Sequence, residues 1–293
     1  DFEDDIPEIE EEFNQRQLNA FTFPRGTIPG VFLHSLLENC DFTLCSDNNY
    51  LKDYVSKFVR QSANQGTVRN WTYEEKSAVN ALTLWLYDIV NAPLLKHENN
   101  YFSLSRLKHG SFVSEMAYLL PSVDMDTQFL NDLCKESAQE IPDRGSLLNK
   151  LISELYLDKK IVTGFINGFL DLVMRTDFDG QEKYYVIDYK STHLGNYYRD
   201  YAQKKVILSV FDERNRYDVQ YLLYTLALHR MLKTRKPDYS YEKDIGGVLY
   251  LYLRGLKAPG LMLEPEISNG VFFTKPSFKI IERLDAIFSG PRK

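Results

Sequence analysis

Asp188 and Lys190 close the apolar run YYVIDYKS, and side chains alternate along a strand, so Tyr184, Val186, Asp188 and Lys190 share one face. A carboxylate and an ammonium thus stand side by side at a strand end. The plain reading is an ion pair at a sheet edge; the chemical reading is a metal-dependent active site. The preceding strand-like run, IVTGFINGFLDLVMR, is joined to this one by TDFDGQEK, whose Asp179-Gly180 pair signals a hairpin turn. A regular hairpin centred there sets Asp171 opposite Asp188. Cross-strand partners lie about 5 Å apart between Cβ atoms. Two ionised carboxylates that close repel, which raises one pKa, and a divalent cation bound to both removes the conflict. Hard oxygen ligands of this kind suit Mg²⁺, with Mn²⁺ as a substitute and Ca²⁺ as a non-catalytic occupant. The D-x-K pattern alone is unspecific: about one is expected by chance in a chain this long. A second stands at Asp158-Lys159-Lys160 without a facing acid.

Other elements must position these groups. FTFPRGTIPGVFLHSLLEN reads as a loop feeding a helix, with Pro29 in its first turn and Phe32, Leu33, Leu36 and Leu37 as its apolar stripe. His34 and Glu38 share a neighbouring face. From Asn48 to about Lys96 the pattern is helical. SFVSEMAYLLP reads as a strand ending at Pro121, and SLLNKLISELYLD as a helix. RYDVQYLLYTLALHRMLKTR is a long helix, GGVLYLYLRG a strand, and SFKIIERLDAIFSG a closing helix with Gly290 near its end. This order predicts an α/β fold, a mixed sheet with helices on its faces.

Composition narrows the class. The 293 residues are 44% hydrophobic, enough for a large core. No run of about 18 apolar residues and no leader pattern is found, so a soluble, cytoplasmic, membrane-free protein is expected. Cys40, Cys45 and Cys134 supply neither a disulfide framework nor a C-x-x-C metal site. Of 41 acids, eight fall in DFEDDIPEIEEE, so the rest of the chain sets 33 against 35 basic residues. Residues 1–20 therefore read as an acidic linker or tail, and charge neither demands nor excludes DNA.

GFLDLVMR, YYVIDYKSTHLG, RYDVQYLLYTLALHRMLKTR and GGVLYLYLRG, with FPRGTIPGVFLHSLLE upstream, resemble in family order the RecB-like branch of the PD-(D/E)XK nucleases. That branch includes the C-terminal nuclease domain of exodeoxyribonuclease V beta subunits. Between about Cys45 and Leu148 only SEMAYLLP echoes the family. The resemblance implies a restriction-endonuclease-like core at about 111–293 plus the His34 helix, a helical region at about 48–110, and one nuclease domain over 21–293. In it Asp171, Asp188 and Lys190 would be catalytic. His34 would join the two acids and the Tyr189 carbonyl in holding the metal. Gln220 and Tyr224 would reach DNA phosphate or the lysine, and Glu115 would match an upstream glutamate. Ile187 stands where a proline is found elsewhere in the superfamily. Implied partners are DNA, chiefly single-stranded DNA from an unwound duplex end, and RecC-like gamma and RecD-like alpha subunits in a bacterial cytoplasm. The sequence holds no G-x-x-x-x-G-K-[ST], so no ATP site is expected in it, and the acidic tail would tether the domain to a motor. Alternatives are a catalytically silent DNA-binding or docking module of the same fold, and an AddB-like or CRISPR-associated nuclease. The latter kinds often carry a cysteine cluster for iron and sulfur, which this chain lacks. Outside the family match, His34 alone would more often be a core or surface histidine, and His193 and His229 draw no chemistry.

Overall fold

The computed structural model describes residues 17–64, 75–142, 145–260 and 267–289. Most of the acidic stretch, together with Gly290, lies outside them. In chain order the elements are α1 (Thr27–Glu38), α2 (Asn48–Asn64), α3 (Glu75–Asn91), β1 (Leu95–His97), β2 (Asn100–Phe102), β3 (Phe112–Asp126), α4 (Thr127–Ala138) and α5 (Ser146–Glu154). There follow β4 (Ile161–Thr176), β5 (Lys183–Lys190), α6 (Gln203–Val210), α7 (Tyr217–Arg235), α8 (Tyr241–Asp244), β6 (Ile245–Tyr252), β7 (Val271–Thr274) and α9 (Phe278–Ser289).

β3 to β7 form one sheet in chain order. All neighbours are antiparallel except β5 and β6, which run parallel. A parallel pair needs a long crossover, and α6, α7 and α8 supply it. Every residue of β6 is buried, as expected of a strand covered on both faces. The mixed α/β architecture is the one the sequence predicts.

Period-two alternation divides two cores across the sheet. Tyr185, Ile187, Tyr189, Leu249 and Leu251 pack with the helices α1 to α3. Val186, Val248, Tyr250 and Tyr252 pack with α4 to α7 and α9. Asp188 and Lys190 therefore face α7.

The β4–β5 hairpin has the register the turn predicts: Leu172 pairs with Ile187, Val173 with Val186 and Thr176 with Lys183. Gly180 closes the turn at φ 82°, a left-handed conformation that glycine adopts without strain.

Several boundaries differ from expectation: the helix over SLLNKLISELYLD ends at Glu154 and the strand over GGVLYLYLRG at Tyr252. The helical pattern stops at Asn91 instead of Lys96, because Pro93 follows, and a small β1–β2 hairpin fills 95–102. The third strand runs on past Pro121 to Asp126. β3 is an edge strand, where a missing N–H is tolerated, and a register shift between Ser122 and Met125 absorbs the irregularity.

Candidate active site

The ladder of β4 and β5 ends at Leu172 and Ile187, and the next position in the same register joins Asp171 to Asp188. Instead of a further backbone pair, Asp171 Oδ2 accepts the Tyr189 N–H at 2.7 Å. His34 arrives from α1, its Nδ1 3.3 Å from the same oxygen. Two features bring α1 this close. Gly30 lies against the end of β5, where a Cβ would come within 2.9 Å of Ser191 Oγ. Arg254, 2% exposed, donates to the carbonyls of Ala20, Phe23 and Pro24 ahead of α1 and of Ser191 just after Lys190. Trp85 adds a hydrogen bond from its indole to the Leu253 carbonyl.

Asp188 and Lys190 are 4% and 6% exposed, and Lys190 Nζ stands 2.6 Å from Asp188 Oδ2. The ammonium is the one partner of this buried oxygen among the described residues. Its partner Oδ1 accepts from Tyr224 Oη at 2.9 Å and Gln220 Nε2 at 3.2 Å. Gln220 Oε1 in turn accepts from Lys190 Nζ at 2.6 Å. Gln220 and Tyr224, four apart on α7, thus reach the lysine and its acid, the second of the two targets their spacing allows. Tyr217, one turn earlier, places its ring 3.7 Å from Lys190 Nζ. Sequence reasoning missed it, although Tyr217, Gln220 and Tyr224 recur at helical spacing.

Glu115 stands between Ser114, which pairs with Leu172, and Met116, which pairs with Leu170; its register position therefore faces Asp171. It adopts φ 52°, strained for a non-glycine residue and of a kind concentrated at functional sites. His34, Glu38 and Glu115 line an open cleft of about 640 Å³ with Arg25, Ser191 and Thr192.

Electrostatics follow this packing. Burial raises the Asp188 carboxyl above its usual range; Lys190 opposes the rise and Asp171 adds to it. The expected repulsion of two carboxylates is present, but desolvation is the larger cause. Burial alone would lower His34, yet its bond to Asp171 and the charges of Asp171 and Asp188 raise it on balance. Glu115 is raised by burial, then by Glu38 and Asp171. The contact with Cys45, 3.3 Å between sulfurs, and after it burial push the Cys40 thiol up. His229 is a core residue bonded to the Tyr239 hydroxyl and packed at a tilt against Tyr241 and Phe278.

Of the expected metal ligands, the structure brings His34 and Asp171 together, while the Asp188 carboxylate turns to the ammonium, amide and phenol of α7 and β5. Among the described residues no three His, Cys, Asp or Glu side chains are grouped so as to hold a metal ion. Two features nonetheless suit a hard cation. Asp188 Oδ2 is buried with the Lys190 ammonium as its one partner among the described residues, and the 3.3 Å between His34 and Asp171 is close to the separation of adjacent octahedral ligands, about 3 Å. No helix among the described residues is long and apolar enough to cross a membrane.

No family model matches the chain. It is 33% identical over 281 residues to the RecBCD enzyme subunit RecB of Escherichia coli K12, covering 93% of this chain and 20% of that protein. The corresponding subunit of Haemophilus influenzae is 32% identical over 276 residues, 94% of this chain and 19% of the other. That of Buchnera aphidicola from Schizaphis graminum is 30% identical over 262 residues, 89% and 19%. The chain thus spans about a fifth of the length of the curated relatives it matches. Repeated similarity over nearly the whole chain, on a mixed sheet whose hairpin carries Asp171 and Asp188 in register, places the chain in the RecB family as a domain of the PD-(D/E)XK nuclease type.

Proposed function

We propose that the chain is a metal-dependent deoxyribonuclease that hydrolyses DNA phosphodiester bonds, as the nuclease module of a RecBCD-like helicase–nuclease in double-strand break repair and DNA end degradation. The observation that carries this reading is the buried ion pair of Asp188 and Lys190, one register step from the His34–Asp171 pair. Burying two charged groups is costly, and carboxyls perturbed by burial and a specific charge partner concentrate at functional sites.

In this reading residues 21–293 form the nuclease domain. His34, Asp171, Asp188 and the Tyr189 carbonyl hold Mg²⁺. When bound, the cation would supply Lewis acidity to a phosphate and an acidified water. Lys190 directs the attacking water and stabilises charge on the scissile phosphate. Gln220 and Tyr224 hold Lys190 and Asp188 in place, and Glu115 adds a further oxygen at the mouth of the cleft. The substrate is single-stranded DNA delivered from an unwound duplex end. RecC-like gamma and RecD-like alpha subunits are the partners, and the setting is the bacterial cytoplasm.

Cleavage of a single-stranded oligonucleotide with Mg²⁺ tests the reading. Asp188→Ala and Lys190→Ala should each lower the rate by at least about a hundredfold. Cleavage by the chain that neither substitution affects refutes the site. DNA binding with no cleavage, alone or with the partner subunits, favours a silent module instead.

A further inference from the structure

The Lys190 ammonium is enclosed more fully than an ion pair requires. Nζ lies 3.7 Å from the ring centre of Tyr217 and 4.5 Å from that of Tyr250, so two aromatic faces attract the cation. Gln220 Oε1 and Asp188 Oδ2 complete its surroundings.

Tyr250 is fixed by the sheet, paired with Asp188 across the β5–β6 ladder and fully buried. Tyr217 is the first residue of α7 and only half-buried, yet its backbone is fixed from two sides. Tyr250 Oη donates to its carbonyl at 2.7 Å. Before it, Arg216 adopts φ 45°, ψ 44°, the left-handed region. The guanidinium holds Arg216 there by forking onto the wholly buried Asp218 and reaching the Tyr156 carbonyl. Strain of this kind persists only where surroundings over-determine it. What it determines here is where the Tyr217 ring stands.

Resting on the reading of Lys190 as the group that meets the scissile phosphate, we infer that Tyr217 is a positioning residue: with Tyr250 it closes an aromatic cage that holds the Lys190 ammonium in place. A ring face attracts a cation without cancelling its charge, as a second carboxylate would. The cage therefore fixes the ammonium and leaves its field available to a developing negative charge. The ring is the working part. The Tyr217 hydroxyl points elsewhere, lying 3.3 Å from Thr192 Oγ1.

Steady-state cleavage of a single-stranded oligonucleotide with Mg²⁺, and binding of the same oligonucleotide in EDTA, are compared for the chain and for Tyr217→Leu, Tyr217→Phe, Lys190→Met and Asp188→Asn. Tyr217→Leu should lower kcat about tenfold, with KM and binding changed less than about twofold, and Tyr217→Phe should restore most of kcat. In carbon-13 spectra of lysine-labelled chain, the Lys190 ε-methylene signal, identified by its loss in Lys190→Met, should be shifted upfield by the rings. It should return towards the ordinary lysine position in Tyr217→Leu but not in Tyr217→Phe. The inference is overturned if Tyr217→Leu keeps full kcat while Lys190→Met and Asp188→Asn are inactive, if both Tyr217 variants lose kcat alike, or if no ring-shifted lysine is seen. An active Lys190→Met removes the nuclease site and the catalytic role of the cage with it. That outcome is told apart because the ring shift of Lys190 in the parent chain, and its loss in Tyr217→Leu, are read without any cleavage.

Discussion

Replacing Lys190 by Met tests the buried pair most directly. Methionine fills most of the volume of the lysine stem and removes the ammonium. Asp188 then keeps Tyr224 and Gln220 on Oδ1 and has no cation near Oδ2. If the carboxylate stays ionised, an uncompensated buried charge costs about 3–5 kcal/mol. Otherwise the folded chain takes up a proton, at a cost set by the carboxyl in the unfolded chain, whose ordinary value is 3.8. At about 1.4 kcal/mol per pH unit, that route costs about 4 kcal/mol at pH 7 and about 1.5 kcal/mol at pH 5. The sign follows from linkage. A carboxyl raised in the folded state contributes stability that is fully present below its unfolded value and is lost as pH rises through its folded value. Lys190 is what opposes the rise of Asp188, so its removal widens that window. His34, which Lys190 also holds down, shifts in the same sense. Urea denaturation at pH 5, 6, 7 and 8 should therefore show a small stability gap between Lys190→Met and the parent chain at pH 5 that grows towards neutral pH. Adding Asp188→Asn to Lys190→Met should close most of it. A gap equal at pH 5 and pH 7, or a double variant as unstable as the single one, refutes the electrostatic account.

Two further outcomes are expected. Arg254→Met strands four backbone carbonyls and should cost about 3 kcal/mol by urea denaturation; Arg254→Lys should recover little, because one ammonium cannot span acceptors that a guanidinium fork reaches together. Ten millimolar Mg²⁺ or Ca²⁺ should raise the melting temperature by about 2–4 °C if the site binds at about millimolar affinity, and Asp171→Asn should abolish the rise; an equal rise in that variant places the cation elsewhere.

What the sequence made legible was mostly short in range. The Asp171–Asp188 register follows from one turn, because hairpin pairing is set locally and period-two alternation carries it outward. The helix of His34 and the face shared by Gln220 and Tyr224 follow from helical spacing. The Arg254 clamp joins residues more than 200 positions apart, and the position of Glu115 opposite Asp171 depends on β3 pairing with a strand beyond two intervening helices. No local pattern encodes either.

The left-handed backbone at Glu115 has a physical reason that periodicity conceals. Leu170, Leu172 and Met174 lie on one side of β4 by alternation, yet Leu170 packs with the core of α4 to α7 and the other two with the core of α1 to α3. The strand changes cores at Asp171, across from the one residue of β3 near it that is forced left-handed. A strand passing between two cores must leave both at the crossing, and the side chain there escapes full burial in either. That is where a carboxylate can stand beside His34 on one side and Asp188 on the other. The left-handed strain at Glu115 and the placement of Asp171 are thus two consequences of one geometric demand, and relieving the first by Glu115→Gly should leave the register of the second intact.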